Sequence, residues 1–253
     1  MKTASERLDV APCELLSWDS EHFGFPVGRV VGDTLTQLTA GAIDDWCVDQ
    51  GIRCLYFLAD PGDAETALVA AEHGYRVTDV RVTVRRSTDG VDRLPLAGPS
   101  TMVIREASER DLMDLRSLAA RSHGGTRFYF DGRFPRERCD ALYQAWVEQG
   151  LRDPDRGLLA AVVNDRSVGY MVYSRVVTAG EGRGELGAVD EHHQGQGIGL
   201  ALHVQMIRQL AERGAVTHRG VLSLRNVPVI RLHERLGFVT DTVAVWHHKW
   251  YDR

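Results

Sequence analysis

Leu186-Gly187-Ala188-Val189-Asp190-Glu191-His192-His193-Gln194-Gly195-Gln196-Gly197-Ile198-Gly199 is the stretch that decides how this chain is read. Gly184 to Val189 reads as a strand, and Leu200, Val204, Ile207 and Ala211 recur at helical spacing behind the last glycine. A strand therefore feeds a turn and then a glycine-rich helix start, with the helix running from about Gly199 to Arg213. The first turn of a helix exposes backbone N–H groups without intrahelical acceptors, and the positive end of the helix dipole reinforces them. Glycines at that place let a pyrophosphate reach the backbone unobstructed. The stretch has no Lys-Ser or Lys-Thr ending of a P-loop, and neither its spacing nor a downstream acidic residue suits a dinucleotide fingerprint.

Downstream, Gly220 to Leu224 reads as a strand, Val227 to Leu236 as a helix and Phe238 to Lys249 as a last strand. Upstream, Asp111 to Arg121 and Arg138 to Gln149 carry helical spacing, and Gly157 to Val163 and Ser167 to Val177 read as strands around the turn Asn164-Asp165. Residues 87–100 are rich in Gly, Pro and Ser and lack periodicity, which places a linker at 91–100 between units 1–90 and 101–253. In the first unit, strand Val27 to Val31, a helix through Leu35, Leu38, Ala42 and Trp46, strand Arg53 to Ala59, an Ala-rich helix ending at Gly74 and strand Tyr75 to Arg86 give βαβαβ. Glu72-His73-Gly74-Tyr75-Arg76-Val77-Thr78-Asp79 parallels Arg235-Leu236-Gly237-Phe238-Val239-Thr240-Asp241, the pattern of a degenerate internal duplication. A glycine cap between any helix and strand gives the same look. Only the second unit has the glycine loop.

At 253 residues and 43% hydrophobic composition the chain can close one large core or two modest ones. A net charge of -5 lacks the basic footprint of nucleic-acid or anionic-membrane binders and favours small-molecule chemistry. Cys13, Cys47, Cys54 and Cys139 form no CxxC pair and the N-terminal residues lead into no apolar signal core, the profile of a reduced, cytoplasmic protein. No run of about 20 apolar residues offers a membrane span.

With its strand, its glycine loop and its downstream landmarks in hand, the second unit resembles the GNAT superfamily of N-acyltransferases. Gln194, Gly197 and Gly199 match the superfamily's loop signature after a strand ending in Ala188-Val189, and Asn226 and Leu236-Gly237-Phe238 match its later landmarks. The chain departs from it at His233, where the superfamily commonly has Tyr. The resemblance implies an α/β fold with a mixed central sheet flanked by helices, here preceded by a smaller GNAT-like half-domain, and acetyl-CoA as the acyl donor. It also implies donor contacts at Ala188, Val189, Gln194, Gly195, Gln196, Gly197, Ile198, Gly199, Leu200 and Asn226. Trp18-Asp19-Ser20-Glu21-His22-Phe23-Gly24-Phe25-Pro26 and Thr126-Arg127-Phe128-Tyr129-Phe130-Asp131, with Phe134-Pro135, Tyr143 and Trp146, resemble the narrower TDP-fucosamine acetyltransferase family. That likeness implies N-acetylation of a TDP-linked 4-amino-4,6-dideoxyhexose. A GNAT enzyme acting on another small-molecule amine or a peptide N-terminus, and a non-catalytic CoA-binding module, stay open beside it.

Acyl transfer to an amine needs a polarised carbonyl, a base and a proton for the departing thiolate. The resemblance implies backbone N–H groups at Ala188 or Val189 for the first. His233, in the Tyr position, is a candidate acid, and equally a core histidine beside Val229 and Ile230. Glu185 is a candidate base or an ordinary strand carboxylate, and His123 is a second base candidate. Arg127, Phe128, Tyr129 and Asp131, with His123, are expected at the acceptor, Arg127 for a diphosphate through its planar fork. Asn226, before Pro228, suits a helix cap as well as a ligand contact. His192-His193 and His247-His248 point apart and have no partners at ligand spacing, so no metal is expected. The family likeness suggests a homodimer, for which the last strand, Val243 to Tyr251, would offer an edge.

Overall fold

The structure is a computed structural model that describes residues 12–94 and 98–251. In chain order its elements are β1 (Cys13–Leu15), α1 (Ser17–Phe23), β2 (Val27–Val30), α2 (Gln37–Asp49), β3 (Cys54–Ala59), α3 (Ala64–Glu72), β4 (Arg76–Ser87), β5 (Val103–Glu106), α4 (Leu112–Ser122), α5 (Arg127–Asp131) and α6 (Arg136–Arg152). Then follow β6 (Arg156–Val163), β7 (Arg166–Ser174), β8 (Glu181–Val189), α7 (Ile198–Glu212), β9 (Thr217–Ser223), α8 (Val227–Arg235) and β10 (Val239–Trp250). They form two compact units, one from residues 12–81, 126–135 and 243–251, the other from the rest of the described residues. Residues 126–135 and 243–251, counted with the second unit on sequence, thus cluster with the first.

In the first unit β2 and β3 run parallel through α2, and β1 lies antiparallel on β2. Leu55, Tyr56 and Phe57 on β3 are at most 1% exposed, so both faces of that strand are covered and the apolar run needs no alternation. Ile43, Cys47 and Val69 from the helices complete the core. The C-terminal part of β10 pairs antiparallel with β3, from Val245 opposite Ala59 to Trp250 opposite Cys54. β4 takes the other edge, where Thr78 Oγ1 donates to the Trp246 carbonyl at 3.2 Å. The last strand is therefore an interior strand, and the edge that the sequence reading offered to a second copy is already paired.

In the second unit β5, β6, β7 and β8 form an antiparallel series, and β9 adds parallel to β8, which makes the sheet mixed. Asn164 and Asp165 take φ of 50° and 62°, and with Val163 opposite Arg166 they close the tight hairpin expected of such a pair. Helix α7 buries Leu202, Met206, Ile207 and Leu210 against Leu159, Met171 and Tyr173 of the sheet. The helix comes close enough that a Cβ on Gly182 would stand 3.0 Å from Leu210, and one on Gly184 3.0 Å from Met206 Sδ. Those glycines are strand residues shaped by packing, which is why β8 starts at Glu181 and not at Gly184. Among the described residues no helix is long and apolar enough to cross a membrane.

Candidate active site

β8 is held by β7 as far as Val189, opposite Gly169, but β9 accompanies it only from Glu181 to Arg183. Beyond Arg183 the two parallel strands part. The N–H of Asp190 donates to the Val168 carbonyl at 2.8 Å. Antiparallel pairing alternates, so the N–H groups of Ala188 and Leu186 turn to β7, and those of Gly187 and Val189 turn to the open side. Of the two backbone donors named on sequence, Val189 is the one that faces the gap.

The chain then makes a single turn, Glu191–His193, capped by Asp190, whose Oδ1 accepts from the His192 N–H at 3.1 Å. Arg121 Nη2 lies 2.6 Å from the other Asp190 oxygen and, as the largest influence, holds that carboxyl down to about 2. Gln194 Nε2 reaches back to the Val189 carbonyl at 3.2 Å. Gly195 and Gly197 adopt φ of 76° and 83°, the left-handed region that glycine enters without strain. Gly197 is the N-cap of α7 and no side chain caps this helix, so the N–H groups of Ile198, Gly199 and Leu200 have no intrahelical acceptor.

Those groups open into a cavity of about 700 Å³ whose walls include Gly187, Ala188 and Val189 of β8 and Asn226, Arg231 and Arg235 at α8. Ala188, Val189, Gln194, Gly195, Gly197, Ile198, Gly199, Leu200 and Asn226 all line it. Gln196 turns away, with Nε2 3.4 Å from the His192 carbonyl. Asn226 lines the cavity, and its Oδ1 accepts from the Val229 N–H at 3.3 Å as the cap of α8. The donor set of bare amides, glycine and guanidinium fits a diphosphate. Asp190→Ala removes both the cap and the tie to Arg121; a cap is worth about 1 kcal/mol, and CoA affinity measured by calorimetry is expected to fall roughly fivefold.

Residues 114–238 match the acetyltransferase (GNAT) family. A GCN5-related N-acetyltransferase from Sphaerobacter thermophilus has a similar structure, with a TM-score of 0.64 at 17% identity, covering 94% of this chain and 76% of that one. A functionally unknown conserved protein from Staphylococcus epidermidis ATCC 12228 reaches a TM-score of 0.68 at 15% identity, covering 97% and 93%. The fold is that of a GNAT-superfamily acetyltransferase. The spore coat polysaccharide biosynthesis protein SpsD of Bacillus subtilis is 26% identical over 133 residues, 53% of this chain and 45% of that protein, so the chain matches less than half the length of this curated relative. In this fold the parted strands and the uncapped start of α7 open together into the cavity.

The two side chains expected to catalyse the transfer stand elsewhere. His233 does not line the cavity. It is 4% exposed, its Nδ1–H donates to the Val229 carbonyl at 2.9 Å, and its ring packs edge-on against His203 and Phe238 at 4.9 and 4.7 Å. Burial lowers its pKa. This is the geometry of a core histidine, the second of the two readings open to His233 on sequence. His233→Leu is expected to cost about 1–3 kcal/mol of stability while changing turnover less than threefold, as denaturant titration beside a rate assay would read. Glu185 also lies outside the cavity lining, with its carboxylate 3.2 Å from Arg156 Nε.

The five expected acceptor residues divide between the units. His123 lines the cavity, where its Nε2 is 2.6 Å from Tyr170 Oη and its ring stacks on Tyr143 at 4.3 Å. Arg127, Phe128, Tyr129 and Asp131 make up α5 in the first unit. Phe128 is 3% exposed, and Asp131 accepts from His248 Nδ1–H and from Trp250 Nε1 at 3.0 Å, so neither is free to meet a ligand. Arg127 Nη1 donates to His248 Nε2 at 2.8 Å, and its guanidinium lies 4.2 Å from the Tyr56 ring, 4.1 Å from Phe128 and 4.3 Å from Trp246. Burial holds His248 at about 4, which keeps it neutral and able to accept from Arg127 while it donates to Asp131. The sequence reading missed Tyr170, Arg231 and Arg235. Arg231 and Arg235 are four residues apart on a helix that was foreseen, a spacing that could have flagged them.

Proposed function

We propose that the acceptor is the amine of a nucleotide-linked amino sugar of the TDP-4-amino-4,6-dideoxyhexose type. The observation that carries this reading is Arg127. Asp131 orients His248 and His248 orients Arg127, while three aromatic rings fix its plane, so a partly exposed guanidinium is held rigid with donors to spare. A planar fork held in that way suits a diphosphate. The polysaccharide biosynthesis role printed for SpsD supports the same substrate class. Transfer is direct: Cys13, Cys47, Cys54 and Cys139 all lie outside the cavity lining, and burial raises the first three above the ordinary thiol range.

We also infer that the first unit is a degenerate copy of the GNAT half that follows. Both α3 and α8 end in the same cap: the N–H of Tyr75 donates to the Ala70 carbonyl at 2.9 Å and that of Phe238 to the His233 carbonyl at 3.0 Å, around Gly74 and Gly237 at φ of 76° and 77°. The copies differ at the helix that follows the parallel strand. Thr36 and Thr39 form a capping box on α2, which spends the donors that α7 leaves open. The donor site thus belongs to the second unit.

The test is an acetyl-CoA assay against TDP-4-amino-4,6-dideoxygalactose, its glucose epimer, a 3-amino-sugar nucleotide and a peptide amine, following free thiol and product mass. Acetylation of a sugar nucleotide is expected, and Arg127→Lys should raise its KM by about tenfold or more, since charge-assisted bonds are worth about 1.5–3 kcal/mol. Thiol release with the peptide alone would move the enzyme to another amine class.

A further inference from the structure

The cavity contains a hydrogen-bonded tyrosine–histidine pair that the family signature does not name. Tyr170 lies on β7 directly opposite Ala188, beside the strand whose Val189 N–H faces the gap. Its side chain and His123 line the same cavity from β7 and from the end of α4. Tyr170 is 0% exposed and His123 9%, so the pair forms floor, not rim.

The remaining polar groups of that lining have partners of their own. Ser122 Oγ donates to the Leu118 carbonyl at 2.7 Å. His203 donates Nδ1–H to the Gly199 carbonyl at 2.7 Å and turns its ring against His233. His193 Nδ1 is 3.2 Å from Asp190. Arg231 and Arg235 are permanent cations and give up no proton. Among the described residues the Tyr170 hydroxyl bonds to a neutral imidazole, which burial holds at about 4, and burial also raises the phenol so that it keeps its proton.

We propose that Tyr170 is a catalytic residue of the acetyl transfer, relaying the proton that the attacking nitrogen loses to the departing sulfur, with His123 as its positioning residue. The amine nitrogen forms a bond to the thioester carbon, and the adduct carries one surplus proton on nitrogen. As the carbon–sulfur bond breaks, the Oη–H proton passes to sulfur and the proton from nitrogen replaces it on Oη. Phenol, imidazole and enzyme end as they began, and the products are amide and free thiol. His123, with its proton on Nε2, donates to Oη and turns the phenol O–H toward the cavity. Concerted exchange is what burial demands, since a bare phenolate in this floor would be desolvated.

The inference needs acetyl transfer but no particular acceptor, and its test is chosen to match. CoA is bound to wild type and to Tyr170→Phe, and its thiolate is titrated by ultraviolet absorbance, with affinity measured by calorimetry. Affinity within threefold of wild type shows a folded site. Loss of the Tyr170 donor is expected to raise the bound thiol pKa by about one unit, and His123→Asn to raise it by less. Turnover of whichever amine serves should fall about 10²- to 10³-fold in Tyr170→Phe. An unshifted thiol titration in Tyr170→Phe, or turnover within threefold of wild type, overturns the proposal. Neither result bears on the sugar-nucleotide reading, which fails only in the acceptor panel.

Discussion

Replacing Gly197 by valine is expected to cut CoA affinity by roughly 10- to 100-fold. Gly197 caps α7 at φ 83°, a conformation that a β-branched residue reaches only under strain of about 1–3 kcal/mol. Gly197 is also part of the cavity lining, so a side chain added there stands where the donor would lie. Strain and obstruction add in the bound state. Gly214→Ala separates the two: Gly214 also has a left-handed φ, 89°, and nothing within 4 Å, but it follows the far end of α7 and lines no part of the cavity. That variant is expected to lose about 1–2 kcal/mol of stability with CoA affinity unchanged. Equal affinity losses in the two variants would mean that the loop acts through general stability and not as a cradle.

The contrast shows what the sequence could and could not convey. Gly195 and Gly197 were legible as loop glycines because a local pattern of strand, turn and helix places them at a helix start. Gly182 and Gly184 were not, because their requirement comes from Leu210 and Met206, 28 and 22 residues further along the chain. The long elements were placed to within a few residues, whereas β1, α1, β5 and α5 were missed, each seven residues or shorter and too brief for a period to register. His233 carried two readings on sequence, acid or core histidine, because its spacing to Val229 and Ile230 suits burial as well as its place before Leu236-Gly237-Phe238 suits chemistry. Tyr170 had no local mark to set it apart from Tyr173 in the same strand. Its register opposite Ala188 and its contact with His123, 47 residues earlier, are properties of the folded sheet.

Acid should begin to destabilise this protein above the carboxylate range. Burial is the largest cause that lowers His123 and His248 to about 4 and His203 and His218 to about 3. In the unfolded chain a histidine titrates near 6.5. Between the folded and unfolded values the unfolded chain binds more protons, so stability rises with pH through that window and is complete above it. Each such histidine removes about 1.4 kcal/mol per pH unit as the pH falls below about 6. Against a net stability of about 5–15 kcal/mol, several of them acting together would exhaust the margin near pH 4 to 5. Asp111 and Asp190, held low chiefly by Arg105 and Arg121, add their losses only as the pH drops below about 4. Urea denaturation at pH 7, 6 and 5 reads the slope. His218→Leu supplies the internal control, because His218 is 1% exposed and its buried Nδ1 has no hydrogen-bond partner among the described residues. Leucine there should leave stability at pH 7 little changed and reduce the linkage by about one proton; a slope that is flat from pH 7 to 5 in wild type would mean that these histidines are solvated or charged in the folded state.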